Sequence, residues 1–193
     1  MATKGDLYII STDPSPLFLG RKEVNRFFIA NDAMTDTIRR VVAGAVNRST
    51  DEGIDFTNAL ICNNPAQFIL CNANRESGYT YIIDTTVSPM MIGAGYMYAG
   101  KTEFGFVLPL DKFAKFNDIG SPDWSEEKQI CEQLKEIGKT KEEGIAEFEE
   151  MFDNNKNYFR ANSVTDLDLM AELLSRGVDM EALEKEVKEA RAL

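Results

Sequence analysis

The strongest constraint on the fold is a change of pattern near Gly120-Ser121-Pro122. Upstream, short apolar runs rich in β-branched and aromatic residues alternate with turn signals, the mark of strands. The runs are "DLYIIST" (6–12), closed by "DPSP", then "RFFIAND" (26–32), "NALICN" (58–63), "AQFILCNA" (66–73), "YTYIID" (79–84), "SPMMIGAG" (88–95) and "EFGFVLPL" (103–110). The two runs flanking "NRESG" are spaced as a hairpin with a loop of about five residues. One helix interrupts the series. From Asp32 to about Asn47, the residues Met34, Ile38, Val41, Val42 and Ala45 recur at three- and four-residue spacing. Asn31 or Asp32 is placed to cap its start, and Arg39, Arg40 and Arg48 fall on the side expected to face water.

Beyond Pro122 the apolar spacing is helical throughout. "SPDWSEEKQICEQLKEIG" carries Trp124, Ile130, Leu134 and Ile137 on one side, with Gly138 as a stop. "TKEEGIAEFEEMFDNN" opens on a capping-box pair, Thr140 and Glu143, followed by a stripe of Ile145, Phe148 and Phe152. "SVTDLDLMAELLSRG" and "DMEALEKEVKEARAL" read as two more helices. The expected fold is therefore α+β: a mostly antiparallel sheet layered with helices over residues 1–120, then an acidic helical region over 121–193. Whether those later helices cover the sheet or form an appendage is open at this level.

Charge follows the same division. Residues 1–120 hold 11 basic against 13 acidic side chains, and residues 121–193 hold 10 against 19. No basic face for direct nucleic-acid binding is evident. An acidic stretch is most simply a solvated helical face, although it also suits a decoy or inhibitor of a nucleic-acid-binding protein. No apolar run is long enough for a membrane helix, and "MATKGDLYII" is not a secretory leader, so a cytoplasmic protein is expected.

The sequence contains no histidine. That removes Ser-His-Asp and Cys-His catalysis and His-ligated zinc. Cys62, Cys71 and Cys131 show no C-x-x-C pairing and are expected as three reduced, buried thiols. Three scattered cysteines do not close an all-cysteine zinc site, so no metal ligand set is assigned.

Gly95-Tyr96-Met97-Tyr98-Ala99-Gly100-Lys101-Thr102 matches the phosphate-loop pattern G-x-x-x-x-G-K-[ST]. In that reading Gly95 and Gly100 let backbone amides crowd a phosphate, Lys101 reaches the terminal phosphates of ATP or GTP, and Thr102 holds magnesium. The pattern requires a helix after Thr102, whereas "EFGFVLPL" reads as a strand. The favoured alternative gives Gly93 and Gly95 to a tight strand-to-helix turn or a close backbone approach, with Tyr96, Met97 and Tyr98 opening a short helix. A third possibility lies in "DTTVS" (84–88), since a threonine freed at a chain terminus is its own nucleophile and base. Thr85 and Thr86 read more simply as turn residues.

The segment "NALICNNPAQFILCNANRESGYTYIIDTTVSPMMIGAGYMYAG" (58–100) resembles the later half of proteasome β-type subunits and the related bacterial peptidase, both N-terminal nucleophile hydrolases. "YTYIID" stands for their "I-D" strand, "MIGAG" for the turn into a helix, and "YMYAG" for that helix start. Upstream, "NRFFIANDAMTDTIRRVVAGAV" resembles the strand, turn and helix that precede them. The resemblance implies a catalytic terminal threonine supported by an aspartate and a lysine. Here the chain begins "MATKGDLYIISTD", and loss of Met1 exposes Ala2. Asp13 is the candidate for the aspartate, and Lys22 falls in an expected loop. No catalytic residue is assigned. The reading leans to a non-catalytic interaction or structural protein on that scaffold, acting through a protein partner or self-association and needing no cofactor.

Overall fold

The computed structural model describes residues 4–12, 22–64, 67–70, 78–98, 101–117 and 125–161, together with 177, 179 and 182. The chain runs β1 (Gly5–Thr12), β2 (Lys22–Ile29), α1 (Thr35–Glu52), α2 (Phe56–Cys62), β3 (Phe68–Leu70), β4 (Tyr79–Asp84), β5 (Met91–Tyr98), β6 (Lys101–Pro109), α3 (Leu110–Ala114), α4 (Glu126–Glu136) and α5 (Lys141–Ala161). The strands form a mixed sheet in the order β3-β2-β1-β4-β5-β6. β1 pairs antiparallel with β2 and parallel with β4, while β4, β5 and β6 form an antiparallel meander. The fold is α+β with a mostly antiparallel sheet.

The central strands are buried on both faces, which is why "DLYIIST" and "YTYIID" read as continuous apolar runs. Leu7 and Ile9 of β1, Tyr81 and Ile83 of β4, Ile92 and Ala94 of β5, and Phe106 and Leu108 of β6 point to one side. There they meet Ile38, Val42 and Ala45 of α1, Leu60 of α2, Phe113 of α3, and Ile130 and Leu134 of α4. Tyr8, Ile10, Val24, Ile82 and Val107 point to the other side, where Phe148 of α5 covers them, flanked by Met151 and Phe152. Thus α4 and α5, whose place the pattern left open, pack on opposite faces of the sheet.

Helix ends follow local chemistry. At α5 the Thr140 amide donates to the Glu143 carboxylate at 2.7 Å, and the Glu143 amide returns a bond to Thr140 Oγ1 at 3.2 Å. This is the expected capping box. Gly138 ends the preceding segment with φ 76°, the left-handed conformation that glycine adopts at least cost. The Ser125 hydroxyl caps α4 by accepting from the Lys128 amide.

Several local expectations are corrected. "NALICN" lies in α2, not in a strand. Asp55 caps that helix, and Phe56, Ala59 and Leu60 bury one face of it. The runs around "NRESG" are not a hairpin: β3 pairs with β2 at one edge, and β4 pairs with β1 in the centre. Gly93 and Gly95 do not turn the chain, because β5 continues through Tyr96, Met97 and Tyr98. Helix α1 starts at Thr35 with Met34 as its N-cap residue, so Met34 is exposed rather than part of the buried stripe. Asp32 instead accepts from the Met34 amide and the Thr37 hydroxyl. Arg39, expected in water, is buried and paired with Asp36 at 3.0 Å. Cys62 is exposed and Cys131 half-buried, both as free thiols. Cys71, Asp13, Trp124 and the two last helices of the sequence reading lie outside the described residues. Among the described residues, no helix is long and apolar enough to cross a membrane.

Candidate functional site

The β4–β5–β6 meander carries an aromatic patch at one end of its α1–α4 face. Tyr79 stands opposite Tyr96, and Tyr81 opposite Ala94, which in turn faces Phe106. Between the pairs Gly95↔Gly105 and Met97↔Thr102 the register shifts, so that Tyr96 of β5 opposes both Glu103 and Phe104 of β6. A bulge of this kind re-aims side chains. Here it accompanies a cleft of about 600 Å³ lined by Thr35, Tyr79, Tyr81, Ala94, Gly95, Tyr96, Glu103, Phe104, Phe106 and Glu126. Ala94 leaves room in the floor where its neighbours carry rings. Tyr79 and Tyr96 meet edge to face with centroids 5.1 Å apart, and Tyr79 and Tyr81 lie nearly parallel at 6.4 Å.

Polar groups fix the inner wall. The Tyr81 hydroxyl donates to the Ala33 carbonyl at 2.6 Å and lies 3.3 Å from Thr35 Oγ1. Glu126, in the first turn of α4, lines the cleft together with Thr35. Burial raises the Glu126 pKa, Thr35 opposes that rise, and Asp36 adds to it. Burial also raises Tyr79, reinforced by Glu126, Tyr96, Asp32 and Glu103. Tyr81, fully enclosed, is raised well above the ordinary tyrosine value, again by burial first. These phenols stay neutral at ordinary pH and are poor nucleophiles. The arrangement therefore offers ring faces, neutral hydroxyls and two carboxylates.

The residues of the phosphate-loop match are arranged differently. Gly95 lies inside β5, Lys101 and Thr102 open β6, and Tyr98 pairs with Lys101 across a connection two residues long. Gly100 lies outside the described residues. The segment after Thr102 is a nine-residue strand, so no helix N-terminus is presented to a phosphate there. Gly93 and Gly95 have another use. A Cβ on Gly95 would stand 2.7 Å from the Phe148 ring, and one on Gly93 would stand 3.0 Å from the Met151 sulfur. Their bare backbone is the seat of α5, the close approach that was one branch of the sequence reading.

At the opposite corner, Thr86 donates its amide and its hydroxyl to Asp84 Oδ1, at 2.8 and 2.6 Å, and the Thr85 hydroxyl donates to the Ile10 carbonyl. Lys22 opens β2 rather than lying in a loop, and its ammonium is 3.8 Å from Asp84. These threonines serve as turn residues at the end of β4. Among the described residues, no group of three or more histidine, cysteine, aspartate or glutamate side chains is placed to hold a metal ion.

The aromatic cleft was not found from sequence. Its parts lie on three strands and two helix starts, and the signal that pointed there, alternating Tyr79 and Tyr81, also fits an ordinary core. No protein family, characterised protein or solved structure matches the chain.

Proposed function

We propose that the chain is a non-catalytic interaction protein that engages a protein partner, or a second copy of itself, through the aromatic cleft of the β4–β5–β6 meander. The observation that carries this reading is the composition of the cleft: Tyr79, Tyr96 and Phe104 half-buried at an opening of about 600 Å³, with Glu103 and Glu126 beside them. Aromatic side chains in a partly desolvated pocket dominate protein–protein contacts, and they do so without any catalytic group. The scaffold is proposed to be proteasome-β-like. Its support is that residues 26–47 give the strand, turn and helix which that resemblance implies. Residues 91–98 run as a strand where the resemblance implies a turn into a helix.

The test is affinity capture from the native cell with the full chain and with Tyr96→Ala. Truncating a central aromatic anchor costs about 2 kcal/mol or more, so recovery of the partner should fall by roughly 30-fold. Equal recovery by both proteins, at equal folded content by circular dichroism, would overturn the reading.

A further inference from the structure

We infer that the cleft receives the guanidinium group of an arginine side chain on the partner, stacked on its tyrosines and held by Glu103 and Glu126. This rests on the cleft being the interaction site and names the chemistry of what enters it.

The charges around the cleft complement a cation. Among the described residues neither Glu103 nor Glu126 takes part in an ion pair, whereas the neighbouring carboxylates Asp36 and Glu127 are paired with Arg39 and Arg40 and with Lys141. Lys141 also touches one wall, its ammonium 4.6 Å above the Phe104 ring. Asp32 adds a further negative charge near Tyr79. Among the described residues the unpaired charge on the cleft walls is therefore negative, and a cation entering it gains two carboxylate partners.

The aromatic lining also suits a cation. A cation within about 6 Å of a ring centroid is attracted by the ring quadrupole, more so where water is excluded. Tyr79 and Tyr96 are half-buried and Tyr81 is buried, so part of that desolvation is already present before a ligand arrives. Guanidinium suits such a lining better than ammonium. It is planar, more weakly hydrated, stacks on rings and matches a carboxylate with two parallel donors.

The same molecule holds an arginine in this way elsewhere. On the opposite face of the sheet, Arg26 donates from Nε and Nη2 to Asp6 Oδ1 at 3.1 and 3.0 Å, and its guanidinium lies 5.6 Å from the centroid of the Tyr8 ring. This chain already stabilises a buried arginine with one carboxylate and one tyrosine. The cleft presents the same pair of groups, doubled and open.

The experiment titrates N-acetyl-arginine methylamide into the full chain and follows the ring resonances of its tyrosines and phenylalanines by NMR. The expected dissociation constant is on the order of 1 mM, the range for so small a ligand. The neutral isostere, N-acetyl-citrulline methylamide, should bind at least about tenfold more weakly, and the lysine analogue should fall between them. Glu126→Gln and Glu103→Gln, which keep size and polarity, should each weaken arginine binding several-fold and leave citrulline unchanged. Equal affinity for arginine and citrulline, or no shift of the Tyr79 and Tyr96 rings, would overturn the assignment. The two readings fail separately. If a Tyr96-dependent partner is captured but arginine and citrulline compete for it equally, the arginine assignment falls and the interaction reading stands. If no partner is captured, the interaction reading falls by itself.

Discussion

At the scale of single residues, Gly95 explains a sequence motif better than any ligand does. Its missing side chain is the space in which the Phe148 ring sits, and Phe148 is fully buried. We expect Gly95→Ala to lower stability by about 1–3 kcal/mol through overpacking. The penalty should shrink when Phe148→Leu is combined with it, and a double-mutant cycle in urea measures that coupling. Equal penalties in both backgrounds would mean that the glycine serves something other than the seat of α5. Tyr8 gives a second residue-level prediction. Burial, with Asp6 adding and Arg26 opposing, raises its pKa from 10.0 to about 12. The unfolded chain therefore releases this proton near pH 10, while the folded chain holds it. The stabilisation is complete below pH 10 and is lost as pH rises through about 12, a fall of about 2–3 kcal/mol. Tyr81 adds to the same alkaline loss, so the informative quantity is the difference between wild type and Tyr8→Phe. The variant should show a shallower decline over that window in chemical unfolding.

At the scale of elements, legibility in the sequence followed periodicity and length. Strands β1, β2, β4 and β6 were legible because β-branched and aromatic residues fill them between turn signals. Helix α1 was legible from its repeated spacing, and α5 from its capping box. Two failures have physical causes. In α2, the run Phe56–Cys62 is too short for its period to separate helix from strand. In β5, glycines that suggested a turn are a packing surface, since a glycine in a strand also marks close approach of another element. The pairing of β3 was beyond local reasoning, because "NRESG" separates two strands that join different neighbours in the sheet. The cleft was hidden for the same reason: it is assembled from positions 35, 79, 81, 94, 95, 96, 103, 104, 106 and 126, and their proximity depends on register and on one bulge. The β5–β6 connection carries a prediction of its own. Calorimetry with ATP or GTP and magnesium should show no saturable heat, and Lys101→Ala should change nothing. A binding heat lost in that variant would show that the loop holds phosphate despite lying between two strands.

At the scale of the whole molecule, one sheet is covered on both faces, with α1 to α4 on one and α5 on the other. The acidic helices α4 and α5 are thereby also packing elements. Their charge lies on the sides that α4 and α5 turn to solvent, while Ile130, Leu134 and Phe148 face inward. This arrangement leaves the end of the β4–β5–β6 meander as an aromatic opening edged by carboxylates, and the functional account depends on that opening being occupied by another protein. Site-specific photo-crosslinking tests it most directly. Benzoylphenylalanine is placed at Phe104, on the cleft wall, and separately at Arg40, exposed on α1, and each full-length protein is irradiated in its native cell. The account predicts a discrete adduct from position 104, absent from position 40 and reduced when Tyr96→Ala is added; an adduct of twice the chain's mass would identify the partner as a second copy. No adduct from position 104, or the same adducts from both positions, would contradict it.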